Sequence, residues 1–392
     1  ANVEVGGELT VSGNLEVGNS NSVLPTLVQT IAGTSTGVGN AIVVDPSGSV
    51  YVTGQYSSTS TVSLGNNLNL PVTSGGDIFI VKYNSSGTAQ WFQTIAGTDP
   101  YDEGTDIAVD SGGNVYVTGY YDSTSTVSLG NNLNLPVSSG YDVYIVKYNS
   151  SGTAQWYQTI SGNQTDVGNG IEVDSGGNVY VTGNYSSTTA VSLGNNLDLP
   201  VSYGNTPFIV KYNSSGTAQW YQTISPTETG RGYGIAVDSG GNVYVTGFYT
   251  YTTPVSLGNG LELPATGFGN YDVYIVKYDT SGTAQWYKTI AGTYSDSGNA
   301  IAVDSGGNVY VTGYYNSTTA VSLGNNLNLP VSSGGTTDTF IIKYDSSGTA
   351  QWYQTIQGSL YEDSGKSIAV DSGGDVYVTG YYNSTTAVSL GN

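Results

Sequence analysis

Four acidic residues fall within one stretch of eight: Asp99, Asp102, Glu103 and Asp106. Carboxylate oxygens gathered this closely are the donors a calcium ion takes, so this stretch is the metal candidate of the chain. Its spacing matches no EF-hand loop, and a solvated acidic loop accounts for the same residues. Apart from calcium, no cofactor is expected. Asp and Glu pairs across a channel could also act as the two carboxylates of a glycosidase, but no spacing locates such a pair. The chain has no His and no Cys. That excludes a Ser–His–Asp triad, imidazole acid–base chemistry, a thiol nucleophile, disulfides and His- or Cys-ligated metals. No catalytic residue is assigned. The many glycines make no phosphate loop, because no helical pattern follows them. Seven Asn-x-Ser/Thr sequons, at Asn84, Asn149, Asn163, Asn184, Asn213, Asn316 and Asn383, are glycosylation candidates in a secreted protein of a glycosylating host.

The charge balance removes further partners. Charged residues make up 9% of the chain, against roughly a quarter in ordinary soluble domains. There are 29 acidic and 8 basic residues, for a net charge of −21. Nucleic acid needs clustered Lys and Arg on its phosphates, and anionic lipid asks for the same, so neither is an expected partner. No run approaches the 18 or so apolar residues of a membrane span, so membrane insertion is not expected. There is no Met, and the opening Ala1-Asn2-Val3 suits a mature, processed product, although removal of an initiator Met would leave the same end. A composition of Tyr, Thr, Ser and Asn with few charges suits an acidic medium, where most carboxylates are protonated and charge pairing contributes little.

The elements that must position these residues are repeated. Val-Asp-Ser-Gly-Gly-Asn-Val-Tyr-Val-Thr-Gly starts at Val109, Val173, Val237 and Val303, with variants at Val44 and Val370. Gly-Thr-Ala-Gln-Trp ends at Trp91, Trp156, Trp220, Trp286 and Trp352, and Leu27 holds the equivalent place in the first copy. Five of the eight basic residues also share one position: Lys82, Lys147, Lys211, Lys277 and Lys343. Six periods of about 65 residues account for nearly all of the 392, and such self-similarity signals a repeat architecture.

Each unit reads as four strands. In the second copy, strand A is 106–109, strand B is 114–121, strand C is 142–148 and strand D is 154–160. Asp-Ser-Gly-Gly joins A to B and Asn-Ser-Ser-Gly joins C to D, since Asx side chains bond their own backbone and Gly supplies positive φ. Between B and C, the apolar residues alternating around Gly130-Asn131-Asn132 predict a small hairpin over 126–136, with Pro136 on an edge. No segment has a capped 3.6-residue period, so almost no helix is expected.

Both faces of these strands are rich in Val, Ile and Tyr, so each unit needs neighbours on two sides. The expected fold is therefore all-β, a six-bladed β-propeller of four-stranded blades with an extra B–C hairpin. An open β-solenoid is the competitor, but it would need atypical capping repeats. The whole of 1–392 reads as one propeller domain, with 1–31 as closing strands and 32–392 as repeats. The chain stops mid-hairpin at Val388-Ser389-Leu390-Gly391-Asn392, and Asn2-Val3-Glu4-Val5 looks like the missing arm. Intact repeats show 29 or 31 residues from hairpin Val to the next Trp, and joining Asn392 to Ala1 gives 31 from Val388 to Leu27. The last blade would then be completed by N-terminal strands, through Val3, Val5, Leu9, Val11, Leu15, Val17, Leu27, Val388 and Leu390. That completion removes an open sheet edge within one chain, or links successive copies head to tail into a fibre.

The repeated Val-Asp-Ser-Gly-Gly-Asn-Val-Tyr-Val-Thr-Gly, followed by Ile-Val-Lys-Tyr and Gly-Thr-Ala-Gln-Trp, resembles the SBBP family of β-propeller repeats over 27–392. The resemblance implies a propeller and an extracellular or cell-surface setting, and it implies no catalytic residues. Trp is expected to pack between blades, Lys to pair with a carboxylate or lie along strand C, and the A–B Asp to cap its own turn. Function should sit among the D-to-A connections, which vary and which hold or adjoin Arg231, Lys288 and Lys366. Near-identical blades favour a non-enzymatic structural or surface-assembly subunit whose partner is itself. A carbohydrate-binding propeller is the alternative, and a polysaccharide-acting enzyme ranks third.

Overall fold

The computed structural model describes residues 31, 34, 37–73, 75–98, 101–224, 229–266, 270–332, 336–358 and 362–384. These residues form strands and turns, with no helix among them. The chain divides into two compact units, Ala1–Thr159 and Ile160–Asn392.

The first unit holds two four-stranded antiparallel sheets, each in the order A, B, C, D. The first sheet is Gly37–Val44, Val50–Tyr56, Asp77–Tyr83 and Ala89–Ile95; the second is Glu103–Val109, Val115–Tyr121, Asp142–Tyr148 and Ala154–Ile160. Strands C and D take the bounds read from the sequence, and strand A starts three residues earlier. The predicted hairpin is present as Val127–Gly130 with Leu133–Leu135. Asn131 and Asn132 turn it with φ of 52° and 60°, the left-handed pair that a two-residue hairpin of this twist requires. The Asn131 Nδ2 donates to the Ala154 carbonyl at 2.8 Å, tying the hairpin tip to strand D.

The second unit holds three such sheets and a final strand pair. Their A strands are Val167–Val173, Thr229–Val237, Ser297–Val303 and Ser364–Val370. The B strands are Val179–Tyr185, Val243–Thr250, Val309–Tyr315 and Val376–Tyr381. Strand C begins at Thr206, Asp272 and Asp338 in the three complete sheets.

Within each unit, consecutive sheets stack with their A strands side by side. The core lies between them. Tyr51, Ile78 and Ile80 of the first sheet meet Ile107, Val117 and Tyr121 of the second. In the second unit Ile235, Val245 and Tyr249 meet Tyr180 and Ile209 on one side, and Val273 and Ile275 meet Ile301 and Val311 on the other. Each fully buried Val or Ile contributes about 1.5–3 kcal/mol, which is why both faces of every blade are apolar.

Two repeated locks join successive blades. Trp220 lies against Tyr180, with ring centroids 6.2 Å apart. Its Nε1 donates to the Thr280 carbonyl of the next C–D turn at 3.1 Å, and Gln222 donates to the Gly282 carbonyl at 2.8 Å. Trp91 and Trp286 repeat this arrangement, so Trp packs between blades as the sequence suggests. The repeated Lys has an aromatic partner: Lys211 Nζ sits over the Tyr180 ring, 5.1 Å from its centroid. Its attraction is to the ring quadrupole, about 0.5–1 kcal/mol at an exposed site, and the Tyr beneath supplies the negative charge density that a carboxylate was expected to give.

The A–B Asp caps its turn and does more. Asp238 accepts from the Gly240 and Asn242 amides, the Asn242 side chain and the Tyr244 hydroxyl, all at 2.8–2.9 Å. Burial works against ionisation, but the bonds from Asn242, Tyr244 and Gly240 together hold its carboxyl below the usual range. Asp238→Ala is expected to cost about 2 kcal/mol at pH 7 by stranding these donors. Urea unfolding measures that cost, which shrinks below pH 4 as the wild-type carboxylate is protonated.

Candidate functional site

Against a background of near-identical repeats, two adjoining positions vary. The residue after Val-Thr-Gly in strand B is Gln55, Tyr120, Asn184, Phe248, Tyr314 or Tyr381. Two residues beyond its partner, every strand A carries one extra residue, a bulge at Asn40, Thr105, Asn169, Tyr233, Asn299 and Lys366. The bulge explains why strand A extends beyond the alternating segment. Gly faces Gly beside it, as in Gly232 with Gly247, because a Cβ on Gly247 would collide with the Arg231 carbonyl. A bulge re-aims its side chain. Where that residue is Asn299, the amide donates to the Gly365 carbonyl of the next strand A at 2.8 Å, and Asn169 does the same to Gly232. Tyr233 and Lys366 give up that tie.

In the second unit these positions become an aromatic row. The Phe248 ring lies 4.6 Å from Tyr271 and 5.8 Å from Tyr233. Tyr314 follows: burial pushes its phenol up to about 12, and Tyr233, Glu362, Asp296 and Tyr381 add to the shift. Lys366 Nζ stands 5.2 Å from the Tyr381 ring centroid; crowding pushes its ammonium down while Glu362 opposes the shift. Tyr271 and Tyr381 are exposed at 36% and 49%, while Phe248, at 9%, is buried against its neighbours and supports the rings that face solvent. Beside the last two rings opens a cavity of about 640 Å³, lined by Asn316, Thr336, Thr337, Glu362, Tyr381, Tyr382 and Asn383.

The acidic stretch Asp102–Asp106 does not converge. Asp102 is buried and brackets the strand entry, accepting from the Gly97 and Asp122 amides at 2.8 Å each. Glu103 accepts from the Tyr120 hydroxyl and from Asn40 Nδ2, and Asp106 bonds the Ile107 amide. Asp99 lies outside the described residues, and among those described no three acidic side chains are grouped to hold a metal ion. The separation has a physical reason: Asp102 lies before strand A and is held by the amides at the strand entry, while Glu103 and Asp106 stand on either side of the bulge at Thr105, each with its own partner. The bracketing Asp recurs as Asp166, Asp296 and Asp363. Val3, Val5, Leu9, Val11, Leu15, Val17, Leu27, Val388 and Leu390 lie outside the described residues, and with them the expected completion of a sixth blade. Among the sequons, Asn84, Asn149 and Asn213 cap C–D turns through Oδ1. Asn163 is exposed and bonded to Thr188, and Asn316 and Asn383 line the cavity. Asn184 is 1% exposed, closed to an attached glycan.

Sequence reasoning pointed to the D-to-A connections and to Arg231 and Lys366. It passed over Tyr233, Phe248 and Tyr314. The signal for Phe248 and Tyr314 was the single variable letter after an invariant Val-Thr-Gly, and for Tyr233 the variable letter one place after the strand-A Gly.

Stacked four-stranded antiparallel sheets of this kind define an all-β propeller fold. The chain carries SBBP beta-propeller repeats, matched at residues 90–123, 285–318 and 351–385. It is 28% identical over 384 residues to an uncharacterized WD repeat-containing protein of Acanthamoeba polyphaga mimivirus, covering 81% of this chain and 27% of that protein. It is 34% identical over 123 residues to the regulatory protein FlaEY of Caulobacter vibrioides, covering 31% of this chain and 13% of that one. The chain thus spans about a quarter or less of these relatives. Among solved structures, it is similar to a PQQ-bound aldose sugar dehydrogenase from Streptomyces coelicolor, at 15% identity and TM-score 0.39 over 90% of each chain. It is also similar to a gluconolactonase from Xanthomonas campestris, at 12% and 0.35 over 77% and 75%. A third is the calcium-binding protein regucalcin from Agrobacterium tumefaciens, at 11% and 0.34 over 84% and 77%. These findings correct the expectation of a non-enzymatic structural or fibre-forming subunit: two of the three are enzymes and none is a fibre subunit. The inference from near-identical blades fails physically, because a site needs only a few departing side chains on a repeated frame. At these scores the likeness transfers no substrate, cofactor or residue. No helix among the described residues is long and apolar enough to cross a membrane.

Proposed function

We propose that the row Tyr271, Phe248, Tyr233, Tyr314 and Tyr381 binds a linear sugar chain. The observation that carries this reading is the contact of three rings, Tyr271, Phe248 and Tyr233, continued along the variable positions by Tyr314 and Tyr381, where other repeats place Gln55, Asn184, Asn40 and Asn169. A sugar ring offers an apolar C–H face bordered by hydroxyls, so it stacks on an aromatic face while its rim seeks polar partners. Those partners are at hand in the Tyr hydroxyls, the Glu362 carboxylate and the amides of Asn316 and Asn383. A glycan partner met outside the cell fits the setting that SBBP repeats imply. Whether the chain is turned over or only held falls to the same residues, among which Glu362 is the exposed carboxylate.

The test uses substitutions that the molecule itself tolerates elsewhere. Tyr233→Asn and Phe248→Asn recreate the residues at Asn169 and Asn184, so the fold should be kept, with melting lowered by loss of the buried Phe248 ring and circular dichroism confirming the β-structure. Titration calorimetry with neutral linear hexasaccharides should show binding by the wild type, weakened about tenfold or more by the double variant. A wild type that binds none of them, or a double variant that binds as well, rejects the reading.

A further inference from the structure

The two units place opposite charges at the same point of the repeat. In the first unit Glu103 faces Tyr120 across the strand pair, and Tyr120 meets Tyr141 edge-on at 5.2 Å. Both Glu103 oxygens are engaged, one by the Tyr120 hydroxyl and one by Asn40. In the second unit Arg231 faces Phe248 in the same register, and Phe248 packs on Tyr271. Phe has no hydroxyl, and the carbonyls around the bulge are already used: Tyr274 donates to the Arg231 carbonyl at 3.3 Å. Arg231 is exposed, and its guanidinium makes no hydrogen bond or ion pair with a described residue. It is the single Arg of a chain with net charge −21, at one end of the aromatic row.

We propose that Arg231 is a specificity-determining residue that reads an acidic group, a carboxylate or sulfate, on the terminal residue of the bound sugar chain. The proposal rests on the sugar-binding reading of the same row. A guanidinium presents a planar fork of donors that matches a carboxylate or sulfate in a bidentate fashion. The row has one other cation, Lys366 over the Tyr381 ring, and the Glu362 carboxylate beside it offsets its charge, whereas Arg231 has no described carboxylate against it. The ligand is therefore a chain neutral along its length with its acidic residue over Phe248 and Tyr271, rather than a polyanion, which the overall charge would repel.

The test is a matched pair of ligands: a linear hexasaccharide of glucose, and the same hexasaccharide with glucuronate as its non-reducing terminal residue. Calorimetry at pH 7 and about 0.15 M salt screens the general field of the protein to a range of about 8 Å. Wild type should bind the acidic form about tenfold tighter than the neutral one, the size of one charged hydrogen-bonding contact. Arg231→Gln should abolish this preference while keeping the affinity for the neutral form, and Arg231→Lys should keep part of it. A wild type that binds both forms equally overturns the role of Arg231 and leaves the sugar-binding reading standing, as does an Arg231→Gln variant that keeps the preference. Binding of neither form overturns both.

Discussion

Asp272→Asn is expected to leave stability at pH 4 within about 0.5 kcal/mol of wild type and to raise it by about 2 kcal/mol at pH 8. Asp272 opens strand C of its sheet and is 5% exposed. Burial pushes its carboxyl up to about 7. A carboxyl raised in the folded state binds its proton more tightly there than in the unfolded chain. Its contribution is intact below about pH 4 and is lost as pH rises through 7. Asn removes the ionisation and keeps the shape. The third sheet shows that a neutral side chain fits, because Thr206 occupies the same position. Urea unfolding at the two pH values decides the matter. Equal gains at both would mean that packing, not charge, is responsible, and a loss at pH 8 would mean that the ionised form is favoured.

The same sign applies to Asp77, raised by burial to about 6. It applies also to Asp296, raised to about 8 by burial, against bonds from Asn316 and Gly292 and with Asp272 adding to the shift. The A–B turn carboxylates act oppositely. Asp45 is held at about 2, where bonds from Ser47, Ser49 and Tyr51 outweigh burial, and Asp110, Asp174 and Asp304 are lowered in the same way. Their contribution is full above about pH 4 and lost as pH falls toward 2. The two sets meet where neither is penalised, so wild-type stability should peak near pH 4, below the range of about 5–8 where most proteins are most stable. The composition alone suggested an acidic medium; the placement of these carboxylates turns that into a curve with a maximum. Melting temperatures from pH 2 to 9 would reveal it, and a plateau from 4 to 8 would contradict it.

What the sequence made legible depended on whether a residue's partner was local. The end of strand C and the start of strand D could be bounded to the residue, because Tyr148 and Ala154 flank a turn whose chemistry is contained in Asn149-Ser150-Ser151-Gly152. Strand A could not, since Glu103-Gly104-Thr105 has no alternation. It belongs to the sheet only because Gly104 lies against Gly119, a pairing whose crowding no single strand announces. Lys147 was read toward a carboxylate for the same reason: its partner, the Tyr116 ring, comes from strand B, more than 30 positions earlier. At the candidate site the charged members Arg231, Glu362 and Lys366 stood out as departures from the repeat. Phe248 and Tyr314 hid among many Tyr and Val, because their neighbourhood is made by stacking successive blades.

Gly282 is pressed against the preceding blade, and Gly282→Ala is expected to cost about 3 kcal/mol. Two separate effects contribute. The residue has φ of +82°, where a Cβ costs about 1–2 kcal/mol. An added Cβ would also lie 2.8 Å from Trp220 Cδ2 of the preceding blade, and such overpacking costs typically about 1–3 kcal/mol. A double-mutant cycle separates them. Trp220→Ala alone should cost about 2–3 kcal/mol, less than a fully buried Trp because its ring is half exposed. In that background Gly282→Ala should cost only the conformational part, about 1 kcal/mol, leaving a coupling of about 2 kcal/mol. If the cost of Gly282→Ala were the same with and without Trp220, the ring would not press on the turn. The indole bond to Thr280 would then be the whole of the lock. A coupling near the expected size would instead explain why the C–D turns at Gly152, Gly282 and Gly348 all carry glycine beneath a Trp of the blade before. The turn is cut to the shape of its neighbour, so the glycine and the indole are one requirement of blade stacking.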